Sequence, residues 1–568
     1  MKKQHPTPNI KKEKVKKTYL AIIMALLAIS IPSYSQPAPV KNAAKSIFTL
    51  TTFKADGSLL ASSHGVFTDA AGTAISDWAP FDGASRAVVV DANGKSLEVD
   101  YIYDANEIYD VVKFHVKGKT TGLTLAPAHA ATGDDIYLVT YSLKKPEVTA
   151  TKVEKVETFM EKYAYYVMKM MAPENAVGCP LVNANGQLLG FLQQSRFTTD
   201  YHSTDAQYIT DMQTTGLTCN DPVMRRTFIP TAIPDDKEQA QLALVLSAQD
   251  NNDKYAKTAE LFIEKFPDLA DGYSAKAQLA VNNNDFAAAK EDMETAIKKA
   301  TAKDEAHFTY ARLIYQKELY KFDQSFPAWN LDKAIEEAQQ ANSINPQPLY
   351  RHLEAQIRYT KKEYQQAYGM FIELTNSNIR NPELFYEAAQ CKTMLEAPKE
   401  ETVALLDSAM ALFAKPYPLD AAPYVLYRAA MLEDMGEYRK AVADYNQYDS
   451  IMTGRIGADF YYKREQCEVK GRLFKQALDD IDTAIRMAPK EPLYLAEKAS
   501  LQLRVNMKDE ALETVEKAIA LDPEYGDAYL IKGLSLIQLG KKKEGLEVLE
   551  KAQQLGNEQA SGMIEKYK

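Results

Sequence analysis

The chain has 568 residues, 46% of them apolar, which is enough for several ordinary globular cores and too long for one domain on a soft scale of about 150 residues each. Its formal charge is −10, and removing Met1 to Ser35, with seven Lys and one Glu, leaves 60 basic against 76 acidic residues, or −16. An acidic surface repels phosphate backbones, so general nucleic-acid binding is excluded as an expectation.

Residues 1–35 read as a signal peptide. Lys11, Lys12, Lys14, Lys16 and Lys17 form a basic n-region ahead of the apolar run YLAIIMALLAISI, Tyr19 to Ile31. That run is shorter than the roughly 20 residues needed to cross a bilayer. Ser33 and Ser35 flank Tyr34, which fits cleavage before Gln36; an uncleaved anchor is the alternative. No Cys lies near the cut to carry a lipid, and no second hydrophobic span follows. The expectation is an exported protein, periplasmic or extracellular, with no integral membrane segment once the leader is removed.

Residues 36–225 form a first domain. Short alternating or β-branched runs such as SIFTLTTF, RAVVVDANG, LEVDYIY and DIYLVTY are separated by the turn signals ADG, DAAG, DANG and NANG. Many short strands at this spacing predict an all-β barrel or sandwich. Three segments then occur in a telling order. HGVFTDAAGTAISDWAPFDGA resembles the part of trypsin-like, HtrA/Deg-type serine proteases that carries the catalytic histidine. DANEIYDVVKFHV resembles the part that carries their aspartate, and ENAVGCPLVNANGQLLGF resembles the nucleophile loop with its following strand. The resemblance implies a trypsin-like double β-barrel.

Carried over position by position, the aspartate falls on Asp110 and is retained. The histidine falls on Ala79, or on Trp78 if the register slips by one, and the serine on Val177. The glycine that opens the family's oxyanion loop falls on Asn175. Acyl transfer on this scaffold needs a nucleophile, a base within hydrogen-bond reach, and donors aimed at the developing oxyanion. With the base and nucleophile replaced, the expectation is a pseudoprotease with no catalytic residues. A rescue would use Cys179 as nucleophile with His64 as base, since a hairpin turning at Ala70–Ala71 sets His64 opposite Asp77. Asp110 without its histidine is read as a capping or turn-stabilising carboxylate.

The segment NDPVMRRTFIPTAIPDDKEQ, with Pro222, Pro230 and Pro234, marks a boundary. Residues 226–235 are expected as a linker packed on one domain, not a free tether.

From 236 to 568 internal repeats dominate. Ala477, Ala484 and Pro489 recur 34 residues later as Ala511, Ala518 and Pro523, and Gly545 and Ala552 continue the series. A small residue stands twelve before the first Ala in most units, as in Ala277, Ala355, Ala429 and Ala499. Antiparallel helices approach closely only where a side chain is nearly absent, and Pro ends the second helix because it lacks the N–H to continue. The pattern resembles the tetratricopeptide repeat and implies an all-α superhelical solenoid of about nine helical hairpins, starting near 236, 270, 304, 348, 382, 422, 458, 492 and 526. The third carries an insert, KELYKFDQSFPAWN, and the fifth has Thr402 or Val403 where Ala is expected.

In that family the first helix of each pair lines a concave groove. The matching positions are His352, Gln356, Tyr359, Tyr386, Gln390, Tyr462, Gln466 and Lys470, polar and aromatic groups suited to gripping a peptide. Four cysteines, Cys179, Cys219, Cys391 and Cys467, show no metal-ligand spacing. Export permits a Cys179–Cys219 disulfide; the other two are expected as isolated buried thiols. Neither metal nor cofactor is expected, and the partners are other polypeptides, bound by a monomer. The combined expectation is an exported, non-catalytic interaction scaffold. An exported serine-type endopeptidase with a substrate-recruiting array is the alternative.

Overall fold

The computed structural model describes residues 37–568 apart from 143–144, 174–175, 195–199 and 321–324. The expected leader and Asn175 therefore lie outside the described residues. Among the described residues no helix is long and apolar enough to cross a membrane. The chain divides into two compact units, one ending at Ala302 and one running from Lys303 to Lys568.

The first unit opens with a short helix, α1 (Ala38–Asn42), and then two closed antiparallel barrels. Barrel one holds β1 (Ile47–Phe53), β2 (Leu59–Phe67), β3 (Thr73–Ser76), β4 (Arg86–Asp91), β5 (Ser96–Asn106) and β6 (Val111–Val116) in the order β1-β2-β3-β6-β5-β4. Barrel two holds β7 (Asp135–Ser142), β8 (Lys145–Phe159), β9 (Tyr163–Met168), β10 (Pro180–Val182), β11 (Leu188–Gln194) and β12 (Tyr201–Asp205). Read from β7, its order is β7-β8-β9-β12-β11-β10, the same path six strands later. The all-β double barrel expected from the sequence is therefore present, with each sheet closed by pairing of its first and fourth strands, so that no edge is left open.

Period-2 alternation sorts the side chains. In barrel one Phe48, Leu50, Phe67, Phe81 and Phe114 point inward, and Phe48 meets Phe67 and Phe114 at centroid distances of 4.6 and 5.9 Å. Each such ring, fully buried, contributes about 1.5–3 kcal/mol. A separate core joins the barrels: Ile47, Val66, Ile75 and Val111 from the first pack with Val139, Val182 and Phe191 from the second. That packing fixes how the two barrels meet.

The segment after β12 stays attached to the body. Ile102 donates its N–H to Pro230 O and accepts from Ala232, at 2.9 and 2.8 Å, so the expected linker lies along β5. The first two helical pairs, α2 (Lys237–Ser247) with α3 (Asn252–Lys265) and α4 (Ala270–Asn282) with α5 (Phe286–Lys299), belong to this unit. They are tied to it by Gly216 N–H on Gln239 Oε1, and by the buried ammonium of Lys254 donating to Met224 O and Thr227 O.

The second unit continues the repeat. It holds α6 (Lys303–Tyr320) with α7 (Leu331–Ile344), α8 (Pro348–Thr360) with α9 (Tyr364–Leu374), α10 (Pro382–Met394) with α11 (Lys399–Met410) and α12 (Ala422–Asp434) with α13 (Tyr438–Ile451). Then follow α14 (Ala458–Lys470) with α15 (Phe474–Met487), α16 (Pro492–Arg504) with α17 (Lys508–Leu521), α18 (Gly526–Gln538) with α19 (Lys542–Gln554), and a terminal α20 (Ala560–Tyr567). Among the described residues these are nine pairs, beginning at or within one residue of the nine expected starts.

The small residues stand at helix crossings. A Cβ built on Gly545 would come 2.7 Å from Gly533 O, closer than any side chain tolerates. Ala355, Ala429, Ala477 and Ala511 are likewise buried at crossings. In the fifth unit Thr402 fills that position, buried, and the insert of the third is anchored by Trp329, whose indole N–H donates to Tyr310 OH at 3.2 Å.

The proposed Cys179–Cys219 disulfide is not formed. Both thiols are free and buried: Cys179 packs in the core of barrel two, while Cys219 lies beside Ala243 O. Cys391 and Cys467 are free and buried, as expected. A disulfide needs the two Cα atoms within about 7 Å, and these thiols lie in different surroundings, one inside barrel two and the other against the first array helix.

Candidate functional sites

In the first unit, β3 runs out into a 3-10 turn, Ala79–Phe81. Trp78 is driven into the barrel core and Ala79 is left exposed, so of the two candidate histidine positions Ala79 is the outward one. Asp110 sits just before β6 with φ +46°, a left-handed conformation that Asp tolerates better than most residues. Its carboxylate accepts the N–H of Ala79 at 2.9 Å. Its own carbonyl and that of Tyr109 accept from the Gln193 amide on β11. Asp110 thus caps the turn at position 79, the structural role expected for it, and its backbone is held by the second barrel.

Val177 is half-buried in the loop before β10. The next residue, Gly178, has φ +79°, and a Cβ there would come 2.1 Å from His64 O. The loop before β10 therefore lies directly against β2. The β2–β3 register, Gly65 opposite Ser76, sets His64 opposite Asp77 as the hairpin predicted.

The rescue pair is chemically poor. Burial lowers the affinity of the His64 imidazole for a proton. Burial also pushes the Cys179 thiol up to about 12, with Asp77 adding to the effect. The thiolate is the nucleophile, so a thiol held in that range is inert at neutral pH.

Sequence reasoning missed Asp77 as a group in its own right. It is buried, and its Oδ1 accepts from Ser63 Oγ at 2.5 Å and Ser76 Oγ at 2.9 Å. Burial pushes its carboxyl up to about 6; the Ser63 hydroxyl pulls the other way and the neighbouring Asp110 adds to the rise. Its signal in the sequence was two serines, Ser63 and Ser76, that the hairpin brings alongside one acid.

In the second unit the groove positions gather into clusters. His352 Nε2 lies 2.6 Å from Glu387 Oε2, and the Gln356 amide donates to Glu387 Oε1 at 2.7 Å, so α8 and α10 are joined through one carboxylate. Burial opposes a charged imidazole at His352, but Glu387 prevails and holds its pKa above the ordinary value. Tyr359 meets Tyr364 edge-on at 5.3 Å. Tyr386 meets Tyr424 and Tyr427 of α12 at 5.2 and 5.4 Å, and Gln390 is half-buried one turn beyond it.

On α14, Tyr462 packs on Tyr494 at 5.4 Å, and Gln466 donates to Glu465 at 2.6 Å and Glu497 at 3.4 Å. Lys470 is drawn away, to Glu433 at 3.2 Å and over the Tyr438 ring. Glu387, Tyr424 and Tyr427 escaped the sequence reading because they stand off the family's usual groove positions.

Beside this face α14 carries unusual buried charge. Glu465 occupies the crossing position where other units place Ala or Gly, and it is 1% exposed. Glu468 is 2% exposed, with Oε2 lacking a hydrogen-bond partner among the described residues. Burial pushes these carboxyls up to about 7 and about 8. Next to them Arg464 grips Asp480 through two bonds of 2.5 and 2.7 Å and reaches Asp449 at 2.9 Å. Arg428 and Asp444 form the same bidentate clamp one unit earlier.

Comparison with known proteins identifies the repeats. Residues 274–321 and 496–560 match the family model described as "Tetratricopeptide repeat", and the C-terminal region carries these repeats. No curated protein matches the chain at the level of sequence. Among solved structures, the active form of the Rv3671c protease from M. tuberculosis is similar at 15% identity over 32% of this chain and 85% of its own, with a TM-score of 0.28. The strand order itself shows a double barrel, two closed six-stranded sheets with one path repeated.

Proposed function

We propose that this protein is an exported, non-catalytic scaffold that holds other polypeptides, with the tetratricopeptide array as its working surface and the double barrel as a pseudoprotease body. The observation that carries the reading is the fate of the aspartate position. Asp110 spends its carboxylate on the backbone N–H of Ala79, where a base would have to stand. A methyl group at 79 and an isopropyl group at 177 offer neither proton acceptor nor nucleophile. The array supplies what binding needs instead: aromatic and amide side chains on the first helices of successive pairs.

The test uses fluorescent, unfolded casein with the full chain. Binding followed by anisotropy, with no fragments on prolonged incubation and no labelling by a fluorophosphonate, is expected. Cleavage that disappears in Cys179→Ala, or fluorophosphonate labelling near position 177, would establish the peptidase alternative. Export is tested by N-terminal sequencing of the mature protein, expected to begin at Gln36.

A further inference from the structure

Resting on the reading that the array holds polypeptide, the α10–α12 face says something about which kind. Tyr386 is bracketed by Tyr424 and Tyr427, with ring planes at 78° and 67° to its own. Edge-to-face packing of this sort gives the cluster a defined geometry. Tyr427 is pinned by a 2.6 Å hydrogen bond between its hydroxyl and Thr393 Oγ1, and Tyr424 is backed by Phe413 at 5.3 Å. All three tyrosines remain partly exposed.

The charges around the cluster are one-sided. The cations on these two helices are already engaged: Lys392 with Glu401 and the Tyr368 ring, Arg428 with Asp444 and Asp407. Arg380, just before α10, donates to Thr375 O and lies over Phe385. His352 is taken by Glu387. On the acidic side Glu383 and Asp420 are exposed, and among the described residues neither has a cation within ion-pair distance. Burial raises the Tyr424 phenol, and Glu383 heads the nearby charges that add to it, with Glu387 and Asp420 also felt, so these carboxylates act on the rings. Ring faces carry negative quadrupolar potential, and with carboxylates beside them that form no close ion pair among the described residues they attract cations.

We infer that the tyrosine cluster of α10 and α12, with Glu383 and Asp420, is a recognition site for a lysine or arginine side chain on an extended segment of a partner polypeptide. The ring faces take the cationic head and its methylene stem, and the carboxylates supply charge complementarity.

The test measures binding of short labelled peptides of one Gly/Ser framework, bearing Lys, Gln or Glu at the same places, to the full chain, with unfolded casein as a general ligand. The Lys peptide is expected to bind about tenfold tighter than the Gln peptide at low salt, and to weaken as salt is added. Tyr386→Ala, and the pair Glu383→Gln with Asp420→Asn, should each remove most of that preference, while Tyr386→Phe keeps it and controls for folding. Equal binding of Lys and Gln peptides, or an unchanged preference in Tyr386→Ala, overturns the inference while casein binding leaves the scaffold reading standing. Failure of every polypeptide, casein included, would instead sink the scaffold reading itself.

Discussion

Among the described residues the barrels carry one strand path twice and the array one helical pair nine times, and selected buried acids of the two regions are satisfied by different means. In the barrels the buried carboxylate of Asp77 is held by two serine hydroxyls, with no ion-pair partner among the described residues. In the array the buried carboxylates of Asp444 and Asp480 are each clamped by an arginine sixteen residues earlier in the same pair. Hydroxyls can satisfy an acid whether or not it is ionised, whereas a guanidinium demands the charge. The barrel acid is thus free to shift its pKa upward. Glu465 and Glu468 are buried in the array without such a clamp: Arg464, the cation acting on Glu468, is committed to Asp480 and Asp449.

The sharpest way to break the comparison is to remove a clamp. Arg464→Ala leaves Asp480 buried beside Glu468 without its partner, and about 3–5 kcal/mol of stability should be lost around α14–α15. Hydrogen exchange across residues 458–487 would register it, and Arg428→Ala, at a more exposed site, should cost less. An Arg464→Ala protein with unchanged exchange would show that the clamp contributes nothing.

The two glutamates without an arginine clamp give the next effect. Both glutamates titrate higher folded than unfolded, so their contribution to stability is complete below about 4.5 and is lost as pH rises toward about 8. The double variant Glu465→Gln, Glu468→Gln should flatten that decline and gain on the order of 3 kcal/mol at pH 8, with little change at pH 4.5. Urea titrations at a series of pH values decide it.

Asp77 makes the same argument in the barrels on a smaller scale. Its folded pKa of about 6 lies above the ordinary carboxyl value, so stability should fall between about pH 4 and pH 6 and level off beyond. Asp77→Asn keeps an oxygen for both serines, removes that slope, and should gain about 1–2 kcal/mol at pH 7, read from thermal melts. The smallest effect belongs to Asp110→Ala, which frees one N–H at position 79 for about 1 kcal/mol. Asp110→Asn, which retains the acceptor and the left-handed backbone, should be nearly silent by the same melts.

The sequence alone determined the array's period and its pair boundaries, because both are set within about 34 residues. Small side chains must recur at crossings such as Ala477 and Ala511, and Pro at Pro382 and Pro492 opens helices where no N–H is required. It left the outward residue of the β3 turn open between Trp78 and Ala79, and burial of the indole in the barrel core decides for Ala79. Tertiary structure alone decided what these residues touch. Barrel closure pairs β1 with β4, the hairpin turns two serines onto Asp77, and the stacking of α8 on α10 delivers one carboxylate of Glu387 to both His352 and Gln356. Burial, which moves the pKa of Glu465 and silences the thiol of Cys179, depends on every neighbour at once. No local pattern of residues encodes it.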